Sequence, residues 1–118
     1  MLTAANIVIG IIAFLHLYFL VLEMFLWDKP AGLRAFGQTK EQAAASKVLA
    51  ANQGLYNGFL AAGLIWGLSI GPAGFGVKIF FLICVLAAGL FGAVTSSRKI
   101  LIFQALPALI GLVLLLAS

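Results

Sequence analysis

The sequence predicts an all-α protein, an integral membrane four-helix bundle. Three observations predict it. Apolar residues make up 64% of the 118-residue chain and charged residues only 8%, whereas a soluble domain is roughly a quarter charged and under half apolar. The apolar residues gather into four runs, at about 4–27, 48–70, 78–95 and 100–117, each close to the ~20 residues that cross a hydrocarbon core. The breaks between runs hold most of the charge and the turn-forming residues. A small soluble fold leaves too much of its surface outside to hide such a composition, so lipid is the solvent that suits it. Four spans use most of the chain and predict a single transmembrane domain.

The first run, about Ala4 to Trp27, is closed by an interfacial tryptophan. It has no basic segment ahead of it and exceeds the length of a secretory signal core, so it reads as the first span rather than a cleaved leader. Asp28-Lys29-Pro30 then breaks the helix, because proline restricts the residue before it. Residues 28–47 form the one polar stretch, with Gly32 and Gly37 as turn residues; Leu33 and Phe36 make part of it amphipathic, suited to a membrane surface. Thr39-Lys40-Glu41-Gln42 has capping-box spacing, and Ala43-Ala44-Ala45 favours helix, so a second helix is expected to start near Gln42 and enter the membrane around Val48. Gly71-Pro72-Ala73-Gly74 is a turn by composition. A third span runs from about Lys78 to Thr95, and Ser96-Ser97-Arg98-Lys99 leads into a fourth. Pro107 should kink that last span or free a carbonyl.

Lys and Arg set the orientation. Four lie in the first connection (Lys29, Arg34, Lys40, Lys47), two in the third (Arg98, Lys99) and one, Lys78, at the second. The positive-inside rule therefore puts 28–47 in the cytoplasm and both termini outside it. The net charge of +4 follows from this placement, and no basic patch on a folded domain points to nucleic acid. The lone Cys84 reads as a small packing residue within an apolar run.

Polar groups inside lipid are costly and each needs an account. The first span holds His16 and Glu23, seven residues apart and so on one helix face. The second holds Asn52, Gln53, Tyr56 and Asn57, and the fourth Gln104. Measured from Trp27, Val48 and Ile100, residues Glu23, Asn52 and Gln104 lie about 6 Å inside the cytoplasmic boundary, Asn57 about 13 Å and His16 about 16 Å. Two readings follow. One is a cytoplasm-facing polar pocket, with Glu23 and His16 as proton carriers and the amides orienting a head group. The other is that these side chains bond across the helices and hold them together, which is common in membranes. A lone histidine with no HExxH pattern makes no metal site, and no serine stands in a nucleophile-elbow context. No cofactor and no catalytic set is assigned. Gly54, Gly58 and Ala62 recur every four residues, and Gly89 lies in the third span; small residues at this spacing let helices approach closely, within one chain or between copies in a homo-oligomer.

Several strings occur together: His16-Leu17-Tyr18-Phe19 through Glu23-Met24-Phe25-Leu26-Trp27, Ala51-Asn52-Gln53-Gly54-Leu55-Tyr56-Asn57-Gly58-Phe59, Gly89-Leu90-Phe91-Gly92 and Phe103-Gln104-Ala105-Leu106-Pro107. In these the chain resembles the bacterial domain-of-unknown-function family 1304 of small membrane proteins, across essentially its whole length. That resemblance implies a four-span membrane fold and no particular activity. The chain is more distantly similar in architecture to the MAPEG enzymes of glutathione and eicosanoid metabolism, whose second helix carries Ala-His-x-Asn-x-x-Glu-Asn after a basic residue. Here Asn52 stands at the His position, Gly54 at the first Asn and Asn57 at the Glu. These departures remove the groups expected to contact glutathione, so this likeness implies architecture and trimeric assembly rather than thiol-transferase chemistry.

Three functions fit the residues. The first is binding or conversion of a lipophilic or amphiphilic molecule in the polar pocket. The second is a structural or protein-interaction subunit. The third is a small transporter or channel subunit using Glu23 and His16, although such proteins usually show internal repeats or broken spans. The expected setting is the cell membrane, with the bilayer as the principal partner.

Overall fold

In the computed structural model, which describes residues 1–118, every regular element is helical. The first helix, α1, spans Leu2–Met24 and contains no proline to interrupt its hydrogen-bond ladder. It stops about one turn short of Trp27. The Leu26 N–H turns back to the Val21 carbonyl, the six-to-one bond with which helices commonly end. Pro30 then begins α2, Pro30–Phe36, where its missing N–H and fixed φ suit the first helical turn. Gly37 ends α2 in the left-handed region at φ 60°, a conformation that glycine adopts without steric cost.

The expected capping box is present. Gln42 N–H donates to Thr39 Oγ1 at 3.1 Å, and Thr39 N–H donates to Gln42 Oε1 at 2.9 Å. Thr39 is therefore the cap itself, and α3, Lys40–Ser69, starts two residues before the expected Gln42. After it come a 3₁₀ turn at Gly71–Gly74, α4 at Phe75–Thr95, a π-helical segment at Leu101–Ala105, and α5 at Leu106–Leu116. The π segment lies just ahead of Pro107, whose ring would press on the carbonyl four residues back in a regular α-helix. Widening the preceding turn, with Leu106 N–H bonded to the Leu101 carbonyl, absorbs that conflict.

The chain divides into two compact units. The first comprises 1–14 and 60–118. Its core gathers Ala5, Ile9 and Ile12 of α1, Leu64 of α3, Leu82 and Val85 of α4, and Ala108, Leu112 and Leu115 of α5. A Cβ at Gly89 would stand 2.6 Å from the Ala105 backbone nitrogen, so α4 meets the π segment at a separation only glycine permits. The second unit comprises 15–59. In it Gly54 and Gly58 of α3 lie against Glu23, Met24 and Leu20 of α1. Trp27 packs on Phe36 with ring centroids 4.8 Å apart and donates its indole N–H to Ser46 Oγ at 3.1 Å. Asp28 and Lys47, at the two ends of the polar stretch, form an ion pair at 3.0 Å.

Ala62, the third residue of the expected small-residue stripe, is exposed in the single chain, while the buried small residues of α3 run through Gly54 and Ala61. One expectation needs correction. Lys78 is not part of a connection: it lies one turn inside α4 and is only 4% exposed.

Two helical stretches, Leu2–Met24 and Gly71–Thr95, are long and apolar enough to cross a membrane, and Leu101–Leu116 is a shorter apolar helix. Large apolar side chains remain exposed along all of these, among them Ile7, Ile11 and Phe14 of α1, Phe80, Phe91 and Val94 of α4, and Val113 and Leu116 of α5.

Candidate functional site

The buried face of α1 runs through Ile9, Ile12, Ala13, His16 and Glu23, the three-and-four spacing of a single helix face. On α3 the buried positions include Ala50, Gly54, Asn57, Ala61 and Leu64, which alternate steps of four and three. Glu23 and Asn57 thus sit where each helix turns inward. In the second unit they meet: Asn57 Nδ2 donates to Glu23 Oε1, and the two residues are 8% and 5% exposed. Gly54, one turn from Asn57, brings the α3 backbone close to Glu23; its missing Cβ would lie 3.1 Å from the Glu23 Cβ.

A carboxyl group in apolar surroundings is costly unless hydrogen-bonded. Asn57 supplies one donor, and a carboxylate offers several acceptor positions. His16, fully buried, stands two turns before Glu23 on the same face of α1 and meets the Phe19 ring edge-on at 5.7 Å between centroids.

Three other residues expected at this site, Asn52, Gln53 and Tyr56, are exposed. The Asn52 amide donates to the Val48 carbonyl of its own helix at 3.0 Å, and Tyr56 stacks obliquely near Phe59. Gln104 is half-buried in the π segment, in the first unit. The equal depth expected for Glu23 and Asn52 supposed that both helices meet the boundary at Trp27 and Val48. In fact α1 ends at Met24 and α3 reaches back to Lys40, and the residue opposite Glu23 is Asn57, five positions further along.

The first unit holds two cavities of similar size. One, of about 300 Å³, has an entirely apolar lining between α4 and the π segment that includes Leu86, Leu90, Leu101 and Leu106. The other, of about 310 Å³, is lined in part by Asn6 and Lys78. Lys78 is the buried polar residue that sequence reasoning passed over as a connection residue. Its signal was available: Lys78, Leu82, Val85 and Gly89 fall on one helix face, and all four are buried.

Comparison with known proteins gives one family. The family model described as protein of unknown function (DUF1304) matches residues 10–116. An uncharacterised protein, YpaA, of Lactococcus lactis subsp. lactis (strain IL1403) is 30% identical over 114 residues, which cover 94% of this chain and 96% of that protein. No solved structure matches the chain.

Proposed function

Because the chain belongs to the DUF1304 family of proteins of unknown function, its role has to be read from its own residues, and we propose that it is a four-span integral membrane protein whose Glu23–Asn57 bond fastens α1 to α3 within the bilayer. The observation that carries the membrane reading is where the apolar side chains face. The core helix of a soluble protein is mostly buried, whereas only 33% and 22% of the most apolar windows of the two long apolar helices are buried. The remainder presents phenylalanine, isoleucine and leucine outward, a surface suited to lipid tails and poorly suited to water. In this reading α3 from about Val48 and the shorter Leu101–Leu116 helix supply the other two spans.

The fastening role rests on mutual satisfaction. In lipid no water reaches a polar side chain, so partners across helices take its place. Glu23 and Asn57 are both buried and bonded to each other.

A second reading has a specific observation in its favour. Asn57 leaves acceptor positions on Glu23 unfilled, and the buried His16 lies on the same face of α1. The pair would then recognise a donor-bearing head group of a lipophilic or amphiphilic molecule from the cytoplasmic side. Native mass spectrometry of gently extracted wild type and Glu23→Gln separates the two and reports any homo-oligomer at once. A defined small molecule carried by the wild type and lost from Glu23→Gln supports the ligand reading. Equal spectra, with lower thermal stability of the variant, support fastening.

A further inference from the structure

Lys78 is buried with an amide, and no acidic side chain, as its bonded partner. It lies in the first turns of α4 on the buried face, 4% exposed. Its Nζ donates to Asn6 Oδ1 of α1 at 2.9 Å. Asn6 is neutral and fills one of the three donor positions of an ammonium group. The acidic residues of the chain are Glu23, Asp28 and Glu41, and all three belong to the second unit. The first unit thus buries a lysine and contains no acidic side chain to neutralise it. The ion pair the chain does form joins Lys47 to Asp28. Buried charges are ordinarily paired, since an unpaired one is strongly disfavoured.

The second observation is the space beside it. The cavity of about 310 Å³ is lined by Lys78 and Asn6 together with Leu2, Leu68, Pro72 and Phe75, and completed by Gly71 and Ser118. Lys78, Asn6 and Ser118 are its polar lining residues, and the rest of its lining is largely apolar. Asn6 and Lys78 both sit near the starts of their helices, α1 and α4, where the helix dipole favours negative charge.

We propose that Lys78 and Asn6 form the polar wall of an anion-binding cavity, which takes the phosphate or carboxylate of an amphiphile whose apolar part lies along Leu68, Pro72 and Phe75. Lys78 supplies the counter-charge and two further donors, and Asn6 holds the ammonium toward the cavity. This site is independent of the role assigned to Glu23 and Asn57.

The test uses the full chain, delipidated in a neutral detergent and followed by native mass spectrometry and thermal unfolding. The probes are phosphatidylglycerol, phosphatidylcholine and inorganic phosphate. The wild type is expected to take up phosphatidylglycerol and to unfold at higher temperature with it. Lys78→Gln should weaken that uptake about tenfold, the loss of one charge-assisted hydrogen bond, and Lys78→Arg should retain most of it. Asn6→Leu, which leaves the lysine in place, should weaken it less and serves if Lys78→Gln does not fold. Uptake of inorganic phosphate that is equally sensitive to Lys78→Gln, with no preference for the lipid, supports the anion site and assigns it to a free anion rather than a head group. Equal uptake of phosphatidylglycerol and phosphatidylcholine, unchanged in Lys78→Gln and in Asn6→Leu, overturns the proposal. So does a wild type that takes up none of the three probes.

Discussion

At the scale of single residues, the polar side chains divide by the helix face on which they fall. Asn57 and Glu23 occupy inward positions and bond to each other, while Asn52, two positions off that face of α3, bonds back to its own helix. Removing either member of the pair leaves the other without its partner. Asn57→Leu and Glu23→Leu are each expected to lower stability in detergent, and the double variant to cost less than the sum. A coupling of about 0.6 kcal/mol, and no more than about 1.7, is the range for interhelical hydrogen bonds in membranes. Strictly additive thermal-unfolding effects would falsify the fastening role.

A second prediction belongs to the polar stretch. The hydrogen bond from Lys47 Nζ, with help from the lysine charges, holds the Asp28 carboxyl below its ordinary value. A carboxyl whose pKa is depressed in the folded state contributes stability that is full above its unfolded value of about 3.9. That contribution is lost as pH falls through the folded value. The melting-temperature difference between wild type and Asp28→Asn should therefore shrink below about pH 4. The pair is solvent-exposed, so the difference should be small and should fade in high salt.

At the scale of elements, turn chemistry governs where helices begin and end. Thr39 with Gln42, and Gly37, act through local backbone geometry and do in the structure what their residue types foretell, whereas Pro30 starts α2 rather than ending α1, which has already stopped at Met24. Pro107 expresses itself less directly, as a π segment in the turn before it. Replacing it with alanine restores an N–H and removes the ring. Pro107→Ala should convert Leu101–Ala105 toward regular α-helix, seen as slower amide exchange across that segment. Gly89 is the tightest point between α4 and the π segment, where a Cβ would meet the Ala105 backbone. Backbone cannot step aside as a flexible side chain can, so Gly89→Leu is expected to cost about 1–3 kcal/mol or more in detergent unfolding.

At the scale of the whole molecule, the prediction is topological. With Cys84 replaced by alanine, single cysteines at Thr3, Gln38 and Ser97 should react differently with a membrane-impermeant maleimide on intact cells. Thr3→Cys is expected to label directly, and Gln38→Cys and Ser97→Cys only after permeabilisation. Labelling of all three from one side would overturn the four-span arrangement and the orientation drawn from six basic residues against one.

What the sequence determined by itself is local and compositional. Helix as the only regular structure, the capping box at Thr39, the turn at Pro72, and the family were legible because each depends on residue type or short-range spacing. Which side chains face inward was decided only by the tertiary structure. In a soluble helix the apolar stripe marks the buried face. Here the helices are apolar almost all round, so the contrast that would identify that face is missing. Glu23 and Asn57 could be singled out as polar groups inside apolar runs, but their pairing depends on where α1 stops and α3 starts. Lys78 looked like a residue of a connection because it borders a glycine-rich turn. Its burial beside Asn6, 72 positions away in sequence, arises from long-range packing of α4 on α1, and no local pattern encodes that contact.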